Sequence, residues 1–360
     1  MMKNSAKLSK YDRYMTVWII IAMVAGIGLG VLFPQVSRTI TQLQVGTTSV
    51  PIAIGLILML YPVLTKVKYA ELGHVFSDWR TLSVSLFQNW LFGPLLMFLL
   101  AVTFLRHEPG YMTGLILIGL ARCIAMVIIW SQLAHGDNEY TAGLVALNSI
   151  FQIVCYTGLA YVFLTILPGW FGLSAYHVAV SMGAIAKSIG LYLGVPFIAG
   201  ISSRYLLIHW RGREWFEAVY LKRINRITFW ALIFTILVMF AIKSKQVVAL
   251  PLDMVRIAIP LILYFVLMFS ITFIISYRMK RSYAVTTSLS LTAASNNFEL
   301  AIAVAVGVFG INSPEAFTAV IGPLVEVPVM LGLVNVALHL RHTLNWEQND
   351  GTVEQARSKS

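Results

Sequence analysis

Long apolar runs separated by short polar connections dominate this chain. Ten of them, at roughly 15–33, 46–64, 82–105, 112–134, 141–167, 177–208, 227–242, 255–275, 283–309 and 316–339, lie near or above the length that crosses a bilayer. A helix needs about 20 residues for that. Inside lipid every backbone N–H and C=O must find a partner within the chain, so runs of this kind are helices. Two of the ten are interrupted in their middle. The fourth reads Gly119-Leu-Ala-Arg122-Cys123-Ile-Ala-Met-Val127, and the ninth carries Ser295-Asn296-Asn297-Phe298-Glu299. Charged groups at that depth cost roughly 2.5–3.5 kcal/mol each on insertion scales, so they mark function before they mark packing. The pattern predicts an all-α polytopic membrane protein whose remaining helices bring these two interruptions together.

Composition narrows the class. The chain is 58% hydrophobic and 11% charged, with mean hydropathy +0.79, whereas a soluble domain carries about 25% charged residues. The formal charge of +11 would suit nucleic acid, but its distribution points to topology instead. Of 26 Lys and Arg, 19 fall on the side of the two termini and four (Arg38, Arg106, Lys243 and Lys245) in the opposite loops, with Arg122, Lys187 and Arg256 in or beside spans. That bias places both ends in the cytoplasm, in a cell inner membrane, with lipid rather than nucleic acid as the partner. The first run is too long for a signal-peptide core and lacks a small-residue cleavage site, so it reads as a retained span. Cys123 and Cys155 both fall in spans and give neither a disulfide framework nor zinc spacing.

Ten spans divide into five and five. An odd number per half inverts the second half relative to the first, the architecture of many secondary transporters. The chain is then one transporter domain, 1–360, with a first repeat at 1–175, a second at 176–345 and a short cytoplasmic tail at 346–360. A shift of 174 lays Gly136 on Gly310, Asn138 on Asn312, Gln152 on Glu326 and Cys123 on Asn297. Both interruptions therefore fall in the fourth span of a half. Broken helices in matching positions are the best sequence pointer to a transport site.

The ionisable residues reduce the candidates further. All five Asp lie in loops or tails, and of ten Glu only Glu299 and Glu326 lie inside a span. No buried His/Asp cluster is expected, hence no metal centre, cofactor or enzymatic site. Glu299 follows three polar residues that favour local unwinding. Burial disfavours a charged carboxylate, which suits Glu299 to carry a proton, unless it merely pairs with Arg122 or Lys187. Glu326, between Pro323 and Pro328, is either a second proton-handling group or the partner of a buried base such as Lys187. Cys123 is either a small buried hydrophobe or a soft ligand. Arg122 beside it either favours the thiolate or ties helix carbonyls together. Asn89 with Trp90, and Asn148 with Gln152, offer hydrogen bonds to a small polar substrate or glue between helices. Trp130 walls the site or marks an interface.

These stretches resemble the arsenical-resistance-3 family of arsenite efflux permeases, over nearly the whole chain. The resemblance is carried by 54–64 with Lys66 and Lys68, by 120–127, by Gly136-Asp137, Glu139-Tyr140 and 143–152, and by 294–301. It implies the ten-span fold of the bile-acid/arsenite/riboflavin transporter superfamily, in which the broken fourth and ninth helices cross at mid-membrane. Spans 3–5 and 8–10 would form a core, and spans 1, 2, 6 and 7 a panel. It further implies that Cys123 is an essential thiol and Glu299 an essential acid, with Arg122, Asn148, Asn89 and Trp130 important for transport. The activity implied is exchange of As(III) for protons.

The chemistry fits independently. Arsenous acid is uncharged at neutral pH, so it is held by soft sulfur and by hydrogen bonds to its hydroxyls. Cys123 offers the first, and Ser295, Asn296, Asn297 and Asn148 the second; antimonite is a possible second cargo. The rival on the same fold is a sodium-coupled symporter of an organic anion, which needs no thiol. A membrane-embedded sensor or enzyme would need a soluble domain or a buried catalytic cluster, and the longest inner loop has under about twenty residues.

Overall fold

The computed structural model describes residues 15–45, 48–66, 78–173, 181–344 and 346, nearly all of them helical. In order come α1 (Met15–Leu32), α2 (Pro34–Gln42), a two-residue antiparallel pair Gln44–Val45 with Thr48–Ser49, and α3 (Val50–Lys66). Then follow α4 (Trp79–Leu105), α5 (Pro109–Leu120), α6 (Met126–Leu133), α7 (Asn138–Trp170) and α8 (Met182–Arg211). The last five are α9 (Leu221–Ala249), α10 (Pro251–Arg278), α11 (Tyr283–Ala294), α12 (Phe298–Phe309) and α13 (Pro314–Thr343).

Local sequence explains the helix starts. Asp78, Asp137, Ser181, Ser282 and Ser313 each cap a helix by accepting an amide of its first turn. Proline occupies the first turn of α2, α5, α10 and α13, where no amide partner is lost. Several helices outrun the apolar stretches that predicted them. The run at 227–242 becomes the 29-residue α9, because Lys222, Arg223 and Arg226 end the hydropathy but are good helix formers. Lys243, expected in an outer loop, is consequently inside α9 and 2% exposed.

Six stretches are long and apolar enough to cross a membrane among the described residues: α4, α7, α8, α9 with its lead-in from Arg213, α10 and α13. α1 and α3 are shorter apolar helices. The runs at 112–134 and 283–309 are each split, into α5 and α6 and into α11 and α12. The chain is a multi-pass membrane protein, and its outer surface agrees: Val24, Val154 and Ile198 face outward, with exposed Trp79, Trp170 and Trp210 near helix ends. Indole rings favour the membrane–water boundary.

Packing sorts the helices into two units. In one, α9 packs along α1 and α3, and α3 along the C-terminal part of α8. Gly26 and Gly30 permit the first contact, since a Cβ at either would collide with the α9 backbone. In the other, α10 packs on α11, α13 and α4, α5 on α4 and α13, and α12 on α13. The units meet where the start of α8 lies on α12, and only lightly where α9 touches α10 and α13. The broken helices belong to the second unit, close to that junction.

Candidate functional site

At both interruptions the backbone is extended. Ala121 has φ −94° and ψ 119°, and Ser295 has φ −85° and ψ 142°. The two extended stretches lie antiparallel and form an isolated bridge between Arg122 and Asn296. Cys123 N donates to the Ser295 carbonyl (3.3 Å), and Asn297 N donates to the Ala121 carbonyl (3.1 Å). Backbone groups freed by breaking a helix in a dry interior need partners. Here each break supplies them to the other. Side chains complete the arrangement: Asn296 Nδ2 donates to the carbonyls of Ile118 (2.8 Å) and Ala121 (3.0 Å), and Asn297 Oδ1 caps α12 by accepting from Leu300 N (3.0 Å).

Two further acceptors hold the breaks from neighbouring helices. Gln152 Oε1, on α7, accepts from Arg122 N at 3.1 Å. Glu326 Oε1, on α13, accepts from Ser295 Oγ at 2.6 Å and Asn296 N at 3.3 Å. The Cys123 side chain is 2% exposed; it meets the Ser295 side chain, with both Glu326 and Glu299 nearby.

Arg122 settles one open alternative. Its Nη1 donates to Tyr264 Oη (2.7 Å) and to the Ala293 carbonyl (3.4 Å), and its Nη2 to the Gly119 carbonyl. Fully buried, the guanidinium ties carbonyls and a phenol together and does not reach toward a carboxylate. Lys187 is exposed on the first turns of α8 and pairs with neither Glu299 nor Glu326. Glu326 is thus held by a hydroxyl and an amide donor rather than by a base.

The other expected residues surround the crossing. Asn148 Oδ1 accepts from Trp90 Nε1 (3.2 Å), and Asn89 Nδ2 donates to the Ser85 carbonyl (2.8 Å). Trp130 is buried within α6. Several buried polar atoms here have no partner among the described residues: Asn89 Oδ1, Asn148 Nδ2, Gln152 Nε2, Trp130 Nε1, Asn296 Oδ1 and Asn297 Nδ2. Buried polar atoms are rarely left so.

Beside the crossing, between the two helical units, lies a cavity of about 40 Å3. On that measure one water needs about 10–15 Å3, so the space admits a few water-sized groups. Its charged lining is the two carboxylates, Glu299 and Glu326. Glu299 is half-buried on the first turn of α12. Cys123 is not part of the lining; the sulfur-bearing residues that line the cavity are Met59, Met126 and Met239. Met59 and Met239 come from α3 and α9, so sequence reasoning centred on the broken helices had no means of finding them. Three methionines in apolar helices look like any core.

Paired broken helices carrying ionisable groups, next to a cavity between two thinly connected helical units, define a membrane transporter. The sequence profile described as the Sodium Bile acid symporter family matches residues 53–250. The chain is 44% identical to the Arsenical-resistance protein Acr3 of Corynebacterium glutamicum, over 93% of this chain and 90% of that one. It is 32% identical to the Arsenical-resistance protein Acr3 of Alkaliphilus metalliredigens, over 92% and 93%. An uncharacterized transporter of Synechocystis is 33% identical over 97% and 93%. The chain belongs to the Sodium Bile acid symporter family and, within it, to the Acr3 arsenical-resistance group.

Proposed function

We propose that this protein expels As(III) from the cell across the cytoplasmic membrane in exchange for protons, conferring arsenic resistance. The observation that carries the reading is a thiol at the paired breaks beside two carboxylates that line a cavity between two helical units. Neutral arsenous acid enters the cavity, where apolar walls and methionine thioethers tolerate it. The unpartnered amides around the crossing bind its hydroxyls, and Cys123 supplies the soft contact once the breaks shift. Glu299 and Glu326 carry the exchanged proton. One proton moving inward for each neutral molecule expelled transfers a full charge, worth about 2.3 kcal/mol per 100 mV, plus the pH gradient.

The scaffold is ten spans in two inverted five-helix repeats, with both termini cytoplasmic. The shift of 174 supports this at the level of single bonds. It maps the bond from Cys123 N to the residue 295 carbonyl onto the bond from Asn297 N to the residue 121 carbonyl. It also maps the Gln152 bond to Arg122 N onto the Glu326 bond to Asn296 N. A two-fold relation between the halves requires such exchanged pairs.

In everted vesicles, arsenite accumulation is expected to need a proton gradient, and Cys123→Ala and Glu299→Gln are each expected to abolish it. Full uptake in both variants overturns the reading. The family description favours a second reading, sodium-coupled uptake of an organic anion. Both charged residues on the cavity are carboxylates, which repel an anion, and sodium-dependent, thiol-independent uptake would be needed to restore that reading.

A further inference from the structure

We propose that Gln152 is a positioning residue of the transport site, the non-ionisable counterpart of Glu326. The inference rests on the inverted-repeat reading given above. Each broken span leaves one extended residue, Arg122 or Asn296, whose amide is not used by the bridge that joins the breaks. In each case an acceptor one helix away takes it: Gln152 Oε1 at 3.1 Å and Glu326 Oε1 at 3.3 Å. Both acceptors are buried, and they lie 174 residues apart, the interval that separates Arg122 from Asn296. The geometry is one device used twice.

The chemistry of the two copies differs, and the difference has a function. An amide oxygen accepts at every pH, so Gln152 holds the first break in one conformation throughout the cycle. A carboxylate accepts strongly when ionised and loses charge-assisted strength when protonated. The second break is therefore the one that loosens when a proton arrives, and the first is the fixed reference against which it moves. Two ionisable latches would let protons release both breaks and uncouple proton entry from cargo exit.

The charged and titratable groups around Gln152 leave this role to it. The Arg122 guanidinium is aimed at Tyr264, and Tyr156, one turn along α7, donates to the Leu117 carbonyl (2.9 Å). Tyr283 of α11 donates to the Ala134 carbonyl (2.8 Å), and Lys187 of α8 is exposed. The Cys123 thiol faces Ser295, and Glu326 shares the lining of the cavity with Glu299.

The test uses the full chain with Gln152→Met and Gln152→Glu. Gln152→Met keeps the length and removes the acceptor, so the Arg122 amide loses its partner. Hydrogen–deuterium exchange of the peptide spanning 121–125 is expected to accelerate about tenfold, and arsenite transport to fall by a similar factor. Gln152→Glu restores an acceptor while ionised. It is expected to recover transport at alkaline pH and to lose it on acidification, so that its profile falls at a higher pH than the parent's. Exchange and transport in Gln152→Met equal to the parent, or an unchanged pH profile in Gln152→Glu, overturns the assignment. If Gln152→Met does not fold, the Gln152→Glu profile decides. If the parent protein carries no arsenite, the proposed function fails, and the exchange measurement still tests the latch.

Discussion

Arg122 shows how a single charge survives in a dry interior. Its guanidinium has a phenol, two carbonyls and the face of the Tyr264 ring 5.9 Å away, and no carboxylate partner. Removing one partner of a buried charged donor costs about 1–3 kcal/mol. Tyr264→Phe leaves the ring and deletes the acceptor. It is expected to lower thermal stability in detergent and to reduce transport several-fold, while Tyr264→Leu, lacking the ring as well, should be worse. Equal behaviour of Tyr264→Phe and the parent in a melting assay would remove Arg122 from its assigned scaffolding role. The identity of Arg122 and Cys123 as special residues was legible in the sequence. The direction in which the guanidinium points was not, since adjacency along a chain says nothing about orientation once the helix is broken.

At the scale of elements, the broken helices depend on fixed neighbours. Gly322 of α13 lets the Phe298 ring lie on the helix surface, where an added Cβ would overlap it. Asp78 caps α4 and binds Arg281, in the connection between α10 and α11, through two contacts of 2.6 and 3.0 Å. Partial burial pushes the Asp78 carboxyl up, but the Thr81 hydroxyl and amide and the Arg281 charge outweigh that and hold it below its usual value of 3.8. A depressed carboxyl contributes stability above its unfolded pKa and loses it as pH falls through the folded one. Asp78→Asn is therefore expected to lower the unfolding midpoint by about 2–4 °C near neutrality. The gap from the parent should close in strong acid, and a gap independent of pH would refute the assignment. Helix existence and type followed from hydropathy. Helix ends did not, because charged residues such as Lys222 and Arg223 terminate an apolar run without terminating a helix.

For the molecule as a whole, the proposed exchange requires one helical unit to move against the other. Lys243 of α9, in the first unit, donates to the Ser313 carbonyl of the second at 3.4 Å, and the Glu315 carboxylate supports its charge. It lies one turn beyond Met239 and Phe240, which line the cavity, and so closes one end of the junction beside it. Cysteines at 243 and 312, in place of Lys243 and Asn312 and sparing the Ser313 cap, are expected to stop export when joined by a short thiol-reactive linker. Reduction of a cleavable linker should restore it. Undiminished export by the linked protein would show that the units do not part there.

The amino-acid sequence alone determined that this chain is a helical membrane protein with two interrupted spans, because a bilayer admits few backbone solutions and makes every buried polar residue conspicuous. It also singled out Cys123, Glu299 and Glu326, since stranded ionisable groups stand out against hydrocarbon. Only the tertiary structure decided which groups meet. It set Arg122 on Tyr264 instead of the thiol, gave Glu326 hydroxyl and amide donors instead of Lys187, and lined the cavity with three methionines. Those outcomes depend on how helices distant in sequence cross, and hydropathy, a property of each stretch by itself, carries no record of it.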